Sequence, residues 1–371
     1  MAVQQLTINL SDIESGSDIG FVINGVDAGD YSGSSVSSAG DVNGDGIDDV
    51  IIGASNAAPN GETYSGSTYV VFGTSDNDAI ELSDIESGTG GFVINGVDEN
   101  DMSGISVSAA GDVNGDGLDD VIIGALYADP NGSDSGSVYV VFGTTDTSAI
   151  ELSDLEAGTG NGFVINGAEN DHGAAGIGKS VSAAGDFNGD GLDDVIIGDQ
   201  YATNGNGEES AGKSYVVFGK ASTNAIEISS LLPNGYGAVI HGADAGDSSG
   251  KSVSAAGDVN GDGYDDVIIS ANGADPNGDW SGSTYVVFGT DEFLDIDLSD
   301  TESGMDESGF VINGVDAGDS IGDSVAAGDI NGDGLDDVII GAVEAAPNGE
   351  YSGSTYVVFG TSDIANIELS D

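Results

Sequence analysis

Five copies of one nine-residue pattern, D-x-N-x-D-G-x-x-D, limit what this 371-residue chain can fold into. They begin at Asp41, Asp112, Asp186, Asp258 and Asp329, spaced 71, 74, 72 and 71 residues apart. A period this regular points to a solenoid, an array or a propeller, not to the two or three unrelated domains that length alone would suggest. Each unit reads in the same order: a stretch like ELSDIESG, then GFVING, an acidic turn such as VDAGDYSG, SVSAAG, the Asp loop, DVIIGA, a Pro/Asn/Gly loop and STYVVFG. GFVING, SVSAAG, DVIIGA and STYVVFG are short, β-branched or alternating, and bounded by Gly, Asn and Asp, so all four read as strands. No stretch sustains a helical period, and IELSDIES has room for one helical turn.

Four strands per radially repeated unit make a propeller blade. The expected fold is therefore all-β: a single domain forming a five-bladed β-propeller with four-stranded antiparallel blades. SVSAAG, nearly all Ser and Ala, suits the innermost strand, where blades crowd around the axis. The expected blades run over about 33–96, 104–167, 178–242, 250–314 and 322–360. The fifth lacks its own last strand, while a spare GFVING stands at residues 20–25. Pairing that N-terminal strand into the fifth blade would close the ring and leave no strand edge unpaired.

The loops carry the chemistry. Ca²⁺ is a hard cation that takes six to eight oxygens at roughly 2.3–2.6 Å. In the first copy, Asp41, Asn43 and Asp45 at loop positions 1, 3 and 5 can converge when the backbone curls around one point. Gly46 permits the sharp turn, the carbonyl of Ile47 points inward, and Asp49 at position 9 closes the cage. A helix-loop-helix calcium site needs a Glu at position 12, where this chain has Ile52 inside a strand. The loop is thus a hairpin connection between SVSAAG and DVIIGA. Asp48 and its counterparts Asp119, Asp193, Asp265 and Asp336, at position 8, are expected to face solvent.

These features resemble the FG-GAP repeat, the unit of the integrin alpha-subunit propeller and of many bacterial surface proteins. The Asp loop, the apolar run after it ending in Gly-Ala and the VVFG strand carry the resemblance, over about residues 20–360. It implies calcium sites on one face, a ligand surface on the other, and a role in adhesion or protein interaction. It also implies ligands in the remaining copies, one Ca²⁺ per repeat and five in all. These are Asp112, Asn114, Asp116, Leu118 (carbonyl) and Asp120; Asp186, Asn188, Asp190, Leu192 and Asp194; Asp258, Asn260, Asp262, Tyr264 and Asp266; and Asp329, Asn331, Asp333, Leu335 and Asp337. Integrin propellers have seven blades against five here, and the Pro of the GAP signature is absent after every strand. The fifth inner strand, SVAAG, is one residue shorter than SVSAAG.

Charge sets the partners. The chain has 66 Asp plus Glu against four Lys and a formal net charge of −62, which repels phosphate and so excludes nucleic acid and anionic membrane surfaces. Its 38% hydrophobic content is gathered into compact runs, unlike a disordered acidic tail. Five Ca²⁺ would offset ten of those negative charges, and the remainder suits a solvated surface in saline surroundings. No run of 18 apolar residues exists, so no membrane insertion is expected. The start, MAVQQLTINL, has neither a basic region nor an apolar one, so no secretory signal is visible.

On the face opposite the Asp loops, the acidic turns repeat as Asp27 with Asp30, Asp98 with Asp101, Glu169 with Asp171, Asp244 with Asp247, and Asp316 with Asp319. They could bind cations or a basic partner, but Asx turns are the preferred reading. Tyr64, Trp280 and Tyr351 precede a Ser-Gly in the adjacent loops and could contact a glycan or peptide. His241 replaces the Asn of the other GFVING strands and reads as structural; His172 lies in an acidic turn. No nucleophile, base and oxyanion set can be assembled, and no copy departs enough from the others to suggest catalysis. The expected function is a calcium-binding, non-enzymatic interaction or adhesion module, extracellular or on a cell surface, with a protein or glycan ligand opposite the calcium loops. The alternatives are a structural spacer of a larger secreted acidic protein, or a calcium-dependent hydrolase or lyase acting on polysaccharide or phospholipid.

Overall fold

The structure, a computed structural model, describes residues 9–14, 19–168, 176–291, 295–302 and 308–361. The fold is all-β, with five repeats set as successive propeller blades. Blade 1 runs outward through Ser35–Gly40, Asp49–Ala54, Ser67–Val71 and Gly91–Asn95, each strand antiparallel to the next. Blades 2, 3 and 4 repeat this order from Ser106–Gly111, Ser180–Gly185 and Val253–Gly257. Small side chains put the SVSAAG strands where the reading above expected them, packed against one another in succession along the inner edge. Alternation then sends one set of Val, Ile and Tyr side chains to each neighbouring blade, so that the core is a series of seams between sheets.

A fifth strand, too short to see in the sequence, ties the first three seams from outside among the described residues. Ile150–Glu151 leaves blade 2 and pairs in parallel with the outer strand of blade 1. Ile226–Glu227 does the same to blade 2, and Asp295–Asp297 to blade 3. Glu151 accepts hydrogen bonds from Asn95 at 2.8 Å and Asn60 at 3.0 Å. In blade 3, His241 takes the Asn position and its Nε2 meets Asp295 Oδ1 at 2.8 Å, in keeping with a structural substitution. Short helices such as Leu82–Glu86 and Leu152–Glu156 follow these ties, each burying two apolar residues beside the outer strand. The single helical turn expected of IELSDIES is this element.

The fifth blade departs from the strand count. Its described strands are Val325–Gly328, Asp337–Ala342 and Ser354–Val358, and nothing among the described residues pairs with the outer edge of the third. Residues 20–25 were expected there. Ile23–Asn24 pairs in parallel with Ile80–Glu81, the place taken by the outer strand of the blade ahead of blade 1, which in a five-bladed ring is blade 5. The missing residue of SVAAG also has a structural meaning. Blades 1 to 4 carry a β-bulge before the Asp loop, with Ala39, Ala110, Ala184 and Ala256 fully buried at the bulge. Blade 5 pairs without that shift, so the deletion removes the bulge.

Candidate functional site

Each Asp loop joins the inner strand of a blade to its second strand, as the hairpin reading required. In the first copy, Asp41 accepts the N–H of Asp45 through Oδ1 and of Gly46 through Oδ2, both at 2.9 Å. Asn43 Oδ1 accepts the Asp45 N–H at 2.8 Å, and Asp45 Oδ1 that of Ile47 at 2.9 Å. The same side-chain acceptors recur at positions 1, 3 and 5 of the second, fourth and fifth loops. The third keeps the position 3 and 5 bonds and the Gly191 N–H to Asp186 Oδ2. These bonds curl the backbone around the side-chain oxygens of positions 1, 3 and 5. Positive φ at Gly44 and Gly46, +74° and +87°, makes the curl possible.

Position 9 is different. Asp49, Asp120, Asp194, Asp266 and Asp337 open the second strands and are essentially inaccessible to solvent. Each carboxylate accepts N–H groups from its own loop and from the end of the third strand, as Asp120 does from Val113 at 3.0 Å and Gly143 at 2.8 Å. Burial pushes Asp120 and Asp194 up to about 8, Asp266 up to about 7 and Asp49 up to about 6. The backbone N–H bonds oppose that shift, and the carboxylates at positions 1 and 5 reinforce it. A divalent cation among these oxygens would relieve the burial penalty and the mutual repulsion together.

The fit to a hard cation rests on the donor set and on one orphaned atom. Every side chain at positions 1, 3, 5 and 9 offers oxygen, the chemistry Ca²⁺ requires. In the third loop, Asp186 Oδ1 is buried with no hydrogen-bond partner, a costly state for a carboxylate oxygen unless something positive sits against it. Among the described residues no three carboxylates or histidines are gathered into a ready-made metal cluster. Apart from Asp186 Oδ1, the position-1 oxygens and one oxygen of each position-5 carboxylate instead accept the loop's own N–H groups.

Position 8 corrects the expectation of solvent exposure. Only Asp48 is exposed. Asp119 Oδ2 accepts the N–H of Asp41 in the preceding blade at 2.7 Å, Asp193 that of Asp112 at 2.7 Å, and Asp265 that of Asp186 at 2.9 Å. Position 7 reaches across the same seams, with Leu118 against Gly44, Leu192 against Gly115 and Tyr264 against Gly189. Each loop is therefore buttressed by the next. Sequence reasoning missed this because the partners lie about one repeat apart. The recurrence of Asp at position 8 was the available signal.

Strand alternation places the acidic turns and the Pro/Asn/Gly loops at the opposite end of the blades. The Asx reading of the turns holds: Asp101 accepts the Asp98 N–H at 3.1 Å, and Asp30, Asp247 and Asp319 each accept the equivalent N–H at 3.2 Å. Glu169, Asp171 and His172 lie outside the described residues. Tyr64, Trp280 and Tyr351 adopt left-handed φ of 57°, 60° and 58° and stand exposed. For the first two the backbone carbonyl joins adjacent blades: Tyr64 O accepts the Met102 N–H and Trp280 O the Ser320 N–H, both at 2.9 Å.

Comparison with known proteins agrees with this architecture. The FG-GAP repeat profile matches residues 32–71, 103–141, 178–217, 249–287 and 321–358, which contain the five Asp loops. Integrin alpha pat-2 of Caenorhabditis briggsae is 30% identical over 251 residues, covering 66% of this chain and 18% of that protein. Integrin alpha pat-2 of Caenorhabditis elegans is 31% identical over 252 residues, with the same coverage. Phosphatidylinositol-glycan-specific phospholipase D of Rattus norvegicus is 33% identical over 129 residues, 32% of this chain and 14% of that protein. The chain thus spans less than a fifth of the length of each of these relatives. With five matched units over more than half its residues, the chain belongs to the FG-GAP repeat family.

Proposed function

We propose that the chain is a calcium-binding interaction module of the adhesion type, with one Ca²⁺ in each Asp loop and its ligand surface at the other end of the blades. The observation that carries the calcium reading is the burial of Asp120, Asp194, Asp266 and Asp337 beneath loops whose other side chains are also oxygen donors. Positions 1, 3, 5 and 9, with the carbonyls of Ile47, Leu118, Leu192, Tyr264 and Leu335, would hold the ion. Bound Ca²⁺ supplies positive charge that fixes the hairpin bend. The chain's residues do the rest: Asp119, Asp193 and Asp265 hold their bends against the preceding blade.

Similarity to integrin alpha chains supports the adhesion reading and a non-enzymatic role. Extracellular calcium modules work at roughly 10⁻⁴–10⁻³ M, which suits an extracellular or cell-surface setting. Among the described residues no helix is long and apolar enough to cross a membrane. On the ligand face, Tyr64, Trp280 and Tyr351 offer exposed rings that can stack on a sugar or pack on a peptide. The ligand test is binding of the calcium-loaded chain to glycan and protein arrays. Specific binding abolished by Trp280→Ala or Tyr351→Ala supports the reading. Absence of any ligand would favour a spacer, and turnover of a polysaccharide or phospholipid would favour the enzyme.

A further inference from the structure

We infer that the ligand face binds a neutral saccharide in the cleft between blades 4 and 5, with Trp280 as its platform. The inference rests on the ligand surface proposed above and names one site and one ligand class on it. The cleft has a volume of about 420 Å³, within the range of roughly 300–1,000 Å³ common to small-molecule sites. Residues of both blades line it, at the end opposite the Asp loops.

Two parts are built into this cleft. The first is an exposed ring on a fixed backbone. Trp280 is 59% exposed, yet its N–H donates to Asp275 Oδ1 at 2.6 Å and its carbonyl accepts the Ser320 N–H at 2.9 Å. Its backbone is thus held from both blades, and a ligand meets a platform already in place. The second part is a polar floor. Asp323 Oδ1 accepts the Asn272 Nδ2–H at 3.0 Å and the ammonium of Lys251. Both bonds go to Oδ1, which leaves Oδ2 to accept from a ligand. Asn272 is buried, whereas the Lys251 and Asp323 side chains stay partly exposed and within reach.

The mixture of charges selects the ligand. An anion would be drawn to Lys251 but repelled by Asp323, Asp279 and Glu344, which line the same cleft. A cation would meet the Lys251 ammonium on the floor. A sugar hydroxyl both donates and accepts, so a vicinal pair can accept from Lys251 and donate to Asp323 Oδ2. Such charge-assisted bonds are the strong ones, and the C–H face of the sugar ring stacks on the indole. The other internal seams lack the combination. Asp134 and Ser210 stand where blade 4 has Trp280, and the seam beside Tyr64 has Ser34 and Ile105 in place of Lys251 and Asp323. Those seams form without ring and floor together, so the pairing is not a requirement of the repeat's packing.

Trp280 is the chain's one tryptophan, so its emission reads this cleft. The test titrates the calcium-loaded full chain with glucose, galactose, mannose, N-acetylglucosamine and disaccharides of each, and in parallel with glucuronate and an oligolysine peptide. At least one neutral sugar should shift the emission saturably at millimolar concentration. Asp323→Asn keeps an oxygen for Asn272 and Lys251 but turns the open oxygen into a donor, and should weaken binding about tenfold or more. Trp280→Ala, followed by calorimetry, should abolish binding, and Tyr64→Ala should bind as wild type. Melting at the wild-type temperature shows that a loss of binding is not a loss of fold. No saturable shift with any neutral sugar overturns the inference, as does a response to glucuronate or oligolysine alone, or undiminished binding by both Asp323→Asn and Trp280→Ala. An array ligand that binds without changing Trp280 emission overturns this site and leaves the interaction module standing.

Discussion

Asp119 Oδ2 lies 2.7 Å from the backbone nitrogen of Asp41, across the seam between blades 1 and 2. One carboxylate thereby ties the first residue of a candidate calcium loop to the loop of the next blade. Asp193 and Asp265 repeat the bond, whereas Asp48 stands exposed. Replacing Asp193 with Ala should cost about 1–3 kcal/mol, the usual result of stripping a charged acceptor from a half-buried N–H. Asp48→Ala should be nearly neutral. Denaturant unfolding of both variants at saturating calcium checks the contrast, and equal losses would show that the seam bond contributes nothing.

The glycines facing these carboxylates give a second contrast. Gly111 has φ +74°, and a Cβ there would overlap the Asp193 carboxylate. Gly111→Ala should therefore destabilise by about 2 kcal/mol or more, combining left-handed strain with overpacking. Gly328→Ala meets nothing within 4 Å and should cost less than about 1 kcal/mol. Thermal melts of the two variants, read side by side, decide the matter.

Stability should also depend on the acidic turns through pH. Burial pushes Asp101 up to about 6 and Asp247 up to about 7, with neighbouring carboxylates adding and the turn N–H opposing. A carboxyl raised in the folded state keeps its proton longer there than in the unfolded chain. It leaves stability untouched below the unfolded value of roughly 4, and stability falls as pH rises through the folded value. Asp247→Asn keeps an oxygen for the Asp244 N–H and removes the charge. Its melting temperature should match wild type near pH 4 and exceed it at pH 8, by about 1–3 kcal/mol in stability. A difference independent of pH would contradict this.

Position 9 should be less forgiving. Asp120→Ala leaves the Val113 and Gly143 N–H groups buried without their acceptor. A loss of about 2–4 kcal/mol is expected even with calcium removed, which separates this structural duty from metal binding. Unfolding in chelator measures it, and a neutral result there would confine Asp120 to the ion.

Much of this was legible because the repeat prints its pattern five times. Alternation in DVIIGA and STYVVFG gave the strands, Ser and Ala in SVSAAG gave the inner edge, and Ile52 at position 12 gave the hairpin. Two kinds of feature were not legible. Ile150–Glu151 is too short for any periodicity, and it becomes a strand only because the outer edge of blade 1 is free beside it. The role of Asp119 depends on Asp41, 78 residues away, a distance that local pattern does not span. The pairing of Ile23–Asn24 with Ile80–Glu81 was out of reach for a related reason. Counting strands showed that one was spare but not which neighbour it would meet.

Calcium counting tests the central claim most directly. Equilibrium dialysis of the full chain against millimolar Ca²⁺, with melting followed before and after chelation, reads occupancy and stability on one sample. The account predicts five ions per chain, one for each Asp loop, and a large fall in melting temperature when they are removed. A chain that holds no calcium at that concentration, and melts unchanged in excess chelator, would contradict it.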